Sequence, residues 1–419
     1  MLIALAVVAA SACGDDSTSE TRSESPGTTA APAPGSGTCD PDAEPIKVGG
    51  LVQVNSFDGV DKGARARIER ANKTCIQGRR IEWVGLRDDG ADAQKNLDAA
   101  RDLVENEGVF ALVATSAYLL PQTTNYLAEN KVPFFGWGFM PGFCGKDSWG
   151  YGFNGCVQGY ALASSGAMDL PDAKLNGSLS EPLAKLLGKD ADEYTVVVFV
   201  GDDESGRLGD LQYQALWSKE QTLARELIPL QGATDLTRYV TLVKDKQPDA
   251  VVITTDFAHA VQLKAALRQA GYEGALVDYI TYIPGLLEAS KETAAALEGG
   301  YSNTQFPPAE ENGEGTRQIA ADLEAIGEPG FVTQGASIGY WSMDLFVQML
   351  EAIPGEITPD SFREVAESGF EYKPMPGGIG PISFPDGHEN PAPCAAIVQV
   401  RDGKFVPVVP FDCYELIDP

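Results

Sequence analysis

The chain alternates short apolar runs with longer segments whose apolar residues recur at helical spacing. Ile46–Val52 predicts a buried strand, and Val60, Ala64, Ile68 and Ala71 fall on one face of a following helix. Further strands are predicted at 80–86, 110–114 and 132–136, with helices over 92–107 and 117–129. Strands that alternate with helices across short loops predict a parallel α/β sheet.

The helix after the second predicted strand has clear start and stop signals. Asp92 is a good N-cap, and Gly108 ends the pattern. Its expected inward face consists of Ala93, Leu97, Ala100 and Val104. We therefore expect these four side chains to pack against the sheet.

A second α/β series follows a Gly- and aromatic-rich stretch at 136–159, which interrupts the alternation. Its predicted elements are strands at 195–200, 222–230, 250–254 and 275–281, a helix at 257–270, a strand near 300–305, helices at 333–352 and 359–367, and a β-rich tail. This order predicts two Rossmann-like lobes with parallel central sheets, joined by several crossings. The expected lobes are 46–157 with about 306–368, and 158–305 with about 369–419.

The N-terminal region predicts export. Residues 1–10 are apolar and uncharged but too short to span a membrane, and Ser-Ala-Cys-Gly follows them. We interpret 1–13 as a signal peptide whose end resembles the lipobox of bacterial lipoproteins, so Cys13 is the expected lipid attachment site. Residues 14–45 are rich in Ser, Thr, Pro, Gly and Asp, a composition typical of a disordered tether.

Composition removes several classes of function. The chain has 60 acidic and 31 basic residues, a net charge of −29, which argues against nucleic acid and anionic membrane surfaces as partners. It has only two histidines, so a multi-histidine metal site is excluded. The sequence also lacks the glycine-rich motif that holds nucleotide phosphates, and we expect neither a metal nor a cofactor.

The cysteines agree with export. The chain has seven, and those besides Cys13 are Cys39, Cys75, Cys144, Cys156, Cys394 and Cys413. Six cysteines allow many pairings. Proximity along the chain favours 144 with 156 and 394 with 413, which leaves 39 with 75. The alternative is free buried thiols in a cytosolic protein.

Short motifs along 46–400 carry a resemblance to a known family. They are Ile46-Lys47-Val48-Gly49, Gly63-Ala64-Arg65, Gln77-Gly78, Asp88-Asp89, Ala114-Thr115-Ser116, Val132-Pro133, Pro248-Asp249-Ala250-Val251 and the stretch 262–271. In this order and spacing they resemble the extracellular solute-binding proteins of branched-chain amino-acid ABC importers. The resemblance implies the type I periplasmic binding protein fold, in which two lobes close on a ligand by a hinge motion.

The resemblance places candidate ligand contacts after three strands of the first lobe. After the third strand, Ser116 and Ala117 would offer a hydroxyl and backbone N–H groups to a carboxylate; the alternative is an ordinary helix cap for Ser116. The segment Trp137, Gly138 and Phe139 would form an aromatic wall, or else pack around the loop between Cys144 and Cys156. Phe57 after the first strand is either a pocket residue or an anchor for a surface loop.

In the second lobe the candidate contacts are Ser205, Asp256, Phe257 and Tyr282. Asp256 suits an ammonium group, unless it only caps the following helix. Amino-acid binders of the family carry an acid after the next strand, where this chain has Asp278, which can instead point into the sheet. The ligand class therefore stays open between branched-chain or aromatic amino acids and aromatic or other apolar carboxylates.

The expected function is that of a non-enzymatic, lipid-anchored binding protein outside the cytoplasmic membrane. It would be a monomer that delivers a small molecule to ABC permease subunits and touches the membrane only through its lipid. One alternative is a ligand-sensing module with the same fold. A remote alternative is a serine hydrolase, because Gly335-Ala336-Ser337-Ile338-Gly339 fits the nucleophile-elbow pattern and His388 follows it.

Overall fold

The computed structural model describes residues 38–54, 57–90, 92–115, 119–231 and 235–419. The strands are β1 (Ile46–Val52), β2 (Ile81–Asp88), β3 (Ala111–Thr115), β4 (Phe134–Gly136), β5 (Gly150–Gly152), β6 (Leu175–Asn176), β7 (Val196–Gly201), β8 (Thr222–Ile228), β9 (Ala250–Thr254), β10 (Ala275–Asp278), β11 (Tyr301–Thr304), β12 (Phe370–Tyr372), β13 (Ile382–Phe384), β14 (Cys394–Arg401), β15 (Lys404–Cys413) and β16 (Leu416–Ile417). The α-helices are α1 (Val60–Ala71), α2 (Ala93–Arg101), α3 (Pro121–Glu129), α4 (Gly159–Ser164), α5 (Glu181–Leu187), α6 (Glu204–Leu216), α7 (Thr237–Lys246), α8 (Phe257–Gln269), α9 (Leu286–Ala289), α10 (Lys291–Leu297), α11 (Glu314–Ala325), α12 (Gln334–Glu351) and α13 (Pro359–Glu367).

Two large sheets organise these elements, and the predicted α/β class with parallel central sheets is confirmed. The first sheet has the order β2-β1-β3-β4-β5 with all neighbours parallel. The second has the order β15-β14-β11-β10-β9-β7-β8, in which β14 and β15 are antiparallel additions. Parallel strands put their carboxyl ends at one edge of a sheet, where ligands bind in folds of this class.

The chain crosses between the sheets after β5, returns after β11 and crosses again after β13. Helix α12 packs against α1, β3 and β4 of the first sheet, and the β12–β13 hairpin joins the same hydrophobic core. The second sheet has its own clusters on its two faces. The exact lobe boundaries stay a prediction.

Local signals located most elements within a few residues. The predicted α1 face is correct, since Val60, Ala64, Ile68 and Ala71 are all buried. At α8, Gly271 has φ 82°, the left-handed conformation that ends a helix.

The inward face expected for α2 is partly wrong. The Asp92 side chain does cap the helix, accepting from the Lys95 N–H at 2.9 Å. However, the deepest side chains are Asn96, Ala100 and Leu103, while the expected Leu97 and Val104 are only half-buried. A π-helical turn over Asp102–Asn106 changes the side-chain spacing, and the amide of Asn96 donates to Asp89 at 2.8 Å inside the fold.

The disulfides pair as expected. Cys39 bonds Cys75. Cys144 bonds Cys156, and Cys394 bonds Cys413 across the β14–β15 hairpin. The lipidation candidate Cys13 and most of the expected tether lie outside the described residues. Within the described part of the chain, no helix is both long and apolar enough to cross a membrane.

Candidate functional site

The carboxyl edge of the first sheet carries an unusual backbone. Ala114, the residue before the last of β3, has φ 63°, a left-handed conformation that costs a non-glycine residue about 1 kcal/mol or more. It coincides with a shift of register between β3 and both neighbours. Ser116 and Ala117, which follow directly, lie outside the described residues. The ligand role of Ser116 and Ala117 stays a prediction.

Phe57 lies in the turn between β1 and α1. It is half-buried and packs against the core of the first sheet, and its backbone oxygen accepts from the N–H of Val60 at 3.3 Å. The start of α12 lies beside it, because a Cβ added to Gly335 would come within 3.0 Å of the Phe57 oxygen. This contact fits the anchoring alternative, and the ligand role of Phe57 stays a prediction.

Trp137 directly follows β4 and is half-buried. Its ring centroid lies 5.9 Å from that of Phe139 and 5.5 Å from that of Phe306. Its indole Nε1 donates to Gln305 Oε1 at 2.9 Å. Phe139 is also half-buried, so part of each ring remains exposed to solvent. We call Trp137 and Phe139 the aromatic wall.

The peptide groups of Gly138, between these rings, form hydrogen bonds within the protein. Its N–H donates to Asn154 Oδ1 at 2.8 Å, and its oxygen accepts from the N–H of Val157 at 3.0 Å. A Cβ at this position would lie 1.7 Å from the oxygen of Gly155, so only glycine fits. The segment therefore presents aromatic side chains while its central peptide group is already hydrogen-bonded.

Ser205 and Asp256 follow neighbouring strands, β7 and β9, at the carboxyl edge of the second sheet. Ser205 is half-buried in the first turn of α6, next to the capping residue Asp203. Asp256 caps α8 by accepting from the His259 N–H at 2.9 Å and lies 2.6 Å from His259 Nδ1. The capping alternative for Asp256 is thus present, while 42% of its side chain stays exposed.

Asp278 ends β10 and points into the protein. It forms an ion pair with the fully buried Lys264 and accepts from Thr281 Oγ1 at 2.6 Å. The backbone N–H groups of Ile280 and Thr281 also donate to it, each at 2.7 Å. Burial lowers the pKa of Lys264, and the Asp278 charge opposes that effect. The Asp278 carboxylate is therefore already paired and hydrogen-bonded within the protein.

Tyr282, in the loop after β10, is buried and lines a cavity. Its hydroxyl donates to Glu310 Oε2 at 2.7 Å and accepts from the N–H of Ala309 at 2.7 Å. Burial raises the pKa of Tyr282, so the phenol stays protonated as a donor. Both partners belong to the segment that leads from β11 back to the first sheet.

The cavity that Tyr282 lines has a volume of about 20 Å³, close to the space of one water. Its walls come from the Tyr282 loop, the segment after β11, and helices α11 and α12; they include Tyr282, Phe306, Ile319, Ser337 and Trp341. Phe306 also makes an edge-to-face contact with Trp137, so it connects the cavity with the aromatic wall. Ser205, Asp256 and Phe257 are not among its lining residues.

The remote hydrolase alternative is not supported. Ser337 lies in the first turn of helix α12, not on the turn from a strand into a helix that an elbow requires. Gly335 and Gly339 are there for helix packing, because a Cβ at Gly339 would lie 1.9 Å from the oxygen of Val60. His388 is buried against Tyr151 and Phe384 instead.

Sequence reasoning missed Gln305 and Phe306. Both follow β11, a strand whose carboxyl end lies at the same edge as those of β9 and β10. The sequence signal was the pair Pro307-Pro308 directly after Gln305-Phe306, because neighbouring prolines end a strand and make the following crossing rigid. In the described part of the chain, no group of acidic, histidine or cysteine side chains is arranged to hold a metal ion.

Comparisons with known proteins agree with this architecture. Residues 46–404 match the model of a periplasmic binding protein family. A comparison with curated protein sequences finds no match.

Several solved structures share the fold. A Rhodopseudomonas palustris solute-binding protein in complex with 4-hydroxybenzoate has a TM-score of 0.66 at 16% identity, with 89% of this chain and 98% of that chain covered. The branched-chain amino acid transporter substrate-binding protein LivJ of Streptococcus pneumoniae, in complex with isoleucine, has a TM-score of 0.65 at 17% identity. That match covers 88% of this chain and 100% of LivJ. A solute-binding protein of R. palustris BisB5 in complex with 3,4-dihydroxybenzoic acid has a TM-score of 0.62 at 16% identity, and the match covers 89% of this chain and 98% of that chain. The match across most of the sequence and the shared fold show that the chain belongs to the periplasmic binding protein family, type I.

Proposed function

We propose that this protein is the solute-binding component of an ABC importer and captures a small carboxylate-bearing molecule between its two sheets. The observation that carries the proposal is the position of Phe306. Its ring makes an edge-to-face contact with Trp137 at the carboxyl edge of the first sheet and lines a cavity together with Tyr282 from the second. The cavity itself has room for about one water, so we place the ligand on the aromatic wall beside it. A ligand in that position contacts both halves, and such contacts shift the balance between open and closed forms.

The engaged acids favour a ligand without an α-ammonium group. Asp278 is neutralised by Lys264, and Asp256 already accepts from His259. The aromatic wall offers two ring faces, inclined by 44° to each other, and either can contact an aromatic ring. We therefore propose an aromatic or other apolar carboxylate as the ligand, with the N–H groups and hydroxyl near Ser116 and Ala117 as the carboxylate site. Branched-chain and aromatic amino acids are the competing ligand class.

The location follows from the family and from the N-terminal region. We propose that a lipid on Cys13 holds the protein at the outer face of the cytoplasmic membrane. The expected tether 14–45 would span the gap up to Cys39, where the disulfide to Cys75 joins it to the fold. There it would act as a monomer that presents the closed, ligand-bound form to permease subunits. Mass spectrometry of the protein extracted from membranes tests this proposal. Acylation of Cys13 would support it, and an unmodified Cys13 would overturn it.

The ligand class is tested by thermal unfolding of the purified protein with a panel of small molecules. The panel contains 4-hydroxybenzoate, benzoate, isoleucine, phenylalanine, benzamide and a sugar. A ligand at 100 times its Kd adds roughly 2.7 kcal/mol to the free energy of unfolding, which gives a clear shift. We expect a shift with the aromatic carboxylates. A shift with the amino acids alone would overturn the proposed class, and none with any compound would count against a solute of this kind.

Trp137 provides the corresponding site prediction. Trp137→Ala removes the larger ring of the aromatic wall, which contacts Phe306 edge-to-face. It is expected to weaken binding of the stabilising carboxylate by about tenfold or more. Trp149→Ala is the matched control, because Trp149 lies in the same aromatic stretch, is also half-buried, and packs on Arg363 rather than on the wall. Titration calorimetry gives both affinities. Equal losses in the two variants would mean that the wall is not a ligand contact.

A further inference from the structure

We propose that Gln305 is a positioning residue that fastens the aromatic wall to the segment joining the two sheets. It touches no proposed ligand group itself. It acts by holding Trp137 and, through Asn154, the peptide group of Gly138. The inference rests on the proposed function only where it takes the aromatic wall to contact the ligand. The fastening itself is a property of the free protein.

Two donors from the first sheet's edge meet on one oxygen. Trp137 Nε1 and Asn154 Nδ2 each donate to Gln305 Oε1 at 2.9 Å. Asn154 is 5% exposed, and its Oδ1 accepts from the Gly138 N–H at 2.8 Å. The Gln305 side-chain carbonyl therefore orients the Trp137 indole directly, and it orients the Gly138 peptide group indirectly through Asn154.

The segment that carries Gln305 is itself held from the other side. The N–H of Phe306 donates to Thr304 Oγ1 at 3.1 Å, which shapes the end of β11. Three residues later the N–H of Ala309 donates to the hydroxyl of Tyr282 at 2.7 Å. The segment 304–310 is thus bonded to the first sheet's edge through Gln305 and to the second sheet's loop through Tyr282.

This arrangement has a physical consequence for the wall. Without the Gln305 oxygen, the indole N–H and the Asn154 amide lose their shared acceptor in a partly buried place, and an unsatisfied donor there is costly. Asn154 then reorients to find another partner, which weakens its bond to Gly138. We expect the wall to become mobile while the core of the first sheet stays folded.

The test compares Gln305→Leu with Gln305→Glu in the full chain. Leucine has a similar size but accepts no hydrogen bond, whereas glutamate keeps an acceptor oxygen at the same reach. Gln221→Leu is the control for loss of a largely buried glutamine, because Gln221 bonds Ala191 and Tyr194 in the second half of the chain. Amide hydrogen exchange over 136–140 is the ligand-free readout.

We expect Gln305→Leu to speed exchange at the Gly138 amide by about tenfold or more, and Gln305→Glu and Gln221→Leu to leave it near the wild-type rate. Unchanged exchange in Gln305→Leu, or equal acceleration in the glutamate variant, would overturn the proposal. If Gln305→Leu does not fold, Trp137→Phe removes one of the two donors and keeps a ring. Faster exchange at 138 and 154–158 in this variant would support the proposal, and unchanged exchange would overturn it.

A second readout uses 4-hydroxybenzoate as the probe. We expect Gln305→Leu to weaken its binding by about tenfold and Gln305→Glu to restore most of it. If the wild type does not bind the probe or any compound of the panel, the proposed function fails. The exchange result still decides whether Gln305 positions the wall, so the two failures are distinguishable.

Discussion

At the scale of single residues, His388 shows how the fold uses a polar group without exposing it. The side chain is 3% exposed, its Nδ1 lies 3.3 Å from the oxygen of Phe143, and its ring packs against Tyr151 and Phe384. Burial lowers the pKa of His388 to about 4, and the nearby Arg363 charge acts in the same direction. The imidazole is therefore neutral in the folded protein near pH 7.

This depressed pKa predicts a loss of stability in mild acid. An unfolded histidine titrates near pH 6.5, so between that pH and pH 4 the unfolded state binds the proton and the folded state does not. We expect the free energy of unfolding to fall by about 2 kcal/mol between pH 7.5 and pH 5 because of this residue. Urea unfolding of the wild type and of His388→Phe measures it. A difference between the two proteins that stays constant over this range would contradict the assigned cause.

At the scale of elements, the contact between α1 and α12 depends on positions without side chains. A Cβ at Gly63 would lie 1.9 Å from the oxygen of Ala336, and one at Gly339 would lie 1.9 Å from the oxygen of Val60. The two backbones therefore approach more closely than any larger residue allows. This contact brings the start of α12, including Ser337 and Gln334, beside the cavity.

The close helix contact predicts that Gly339→Ala lowers the free energy of unfolding by about 2 kcal/mol or more, since the added methyl group forces the helices apart. Gly355→Ala is the matched control, because a Cβ there meets nothing within 4 Å. Thermal or urea unfolding of both variants provides the comparison. Similar stabilities would show that the helices separate without cost.

At the scale of the whole molecule, three disulfides close loops of different length around the fold. Cys39–Cys75 spans 36 residues and ties the segment before β1 to the end of α1. Cys144–Cys156 spans 12 residues beside the aromatic wall. A disulfide stabilises mainly by restricting the unfolded chain, and the restriction grows with loop length.

The loop lengths predict an order of stabilities. Replacing Cys39 and Cys75 together by Ser is expected to cost about 4 kcal/mol, and replacing Cys144 and Cys156 about 3 kcal/mol, in the loop-entropy description. Urea unfolding of the two double variants measures the order. A larger loss for the short loop would show that contacts within the folded 144–156 loop outweigh the entropy of the unfolded chain.

Much of the fold was predictable because its signals are local. Helical spacing identified α1 and α8, and the boundaries of β1, β9 and α13 matched the expectation. The α2 face was partly mistaken because a π-helical turn, which leaves no clear mark in the apolar pattern, displaces its side chains. For the candidate site, the sequence named Trp137 and Tyr282, whose ligand roles stay predictions. It did not name Gln305, whose partners Trp137 and Asn154 are more than 150 positions distant.

The sequence by itself determined the alternation of strands and helices, the acidic character and the family, because apolar period, charge and short motifs are local properties of the chain. Only the tertiary structure decided which side chains are free. It engaged Asp278 of β10 with Lys264 of α8 and joined Trp137 to Gln305. Those outcomes depend on contacts between residues that are distant along the chain, and such contacts exist only once the sheets and their crossings are in place.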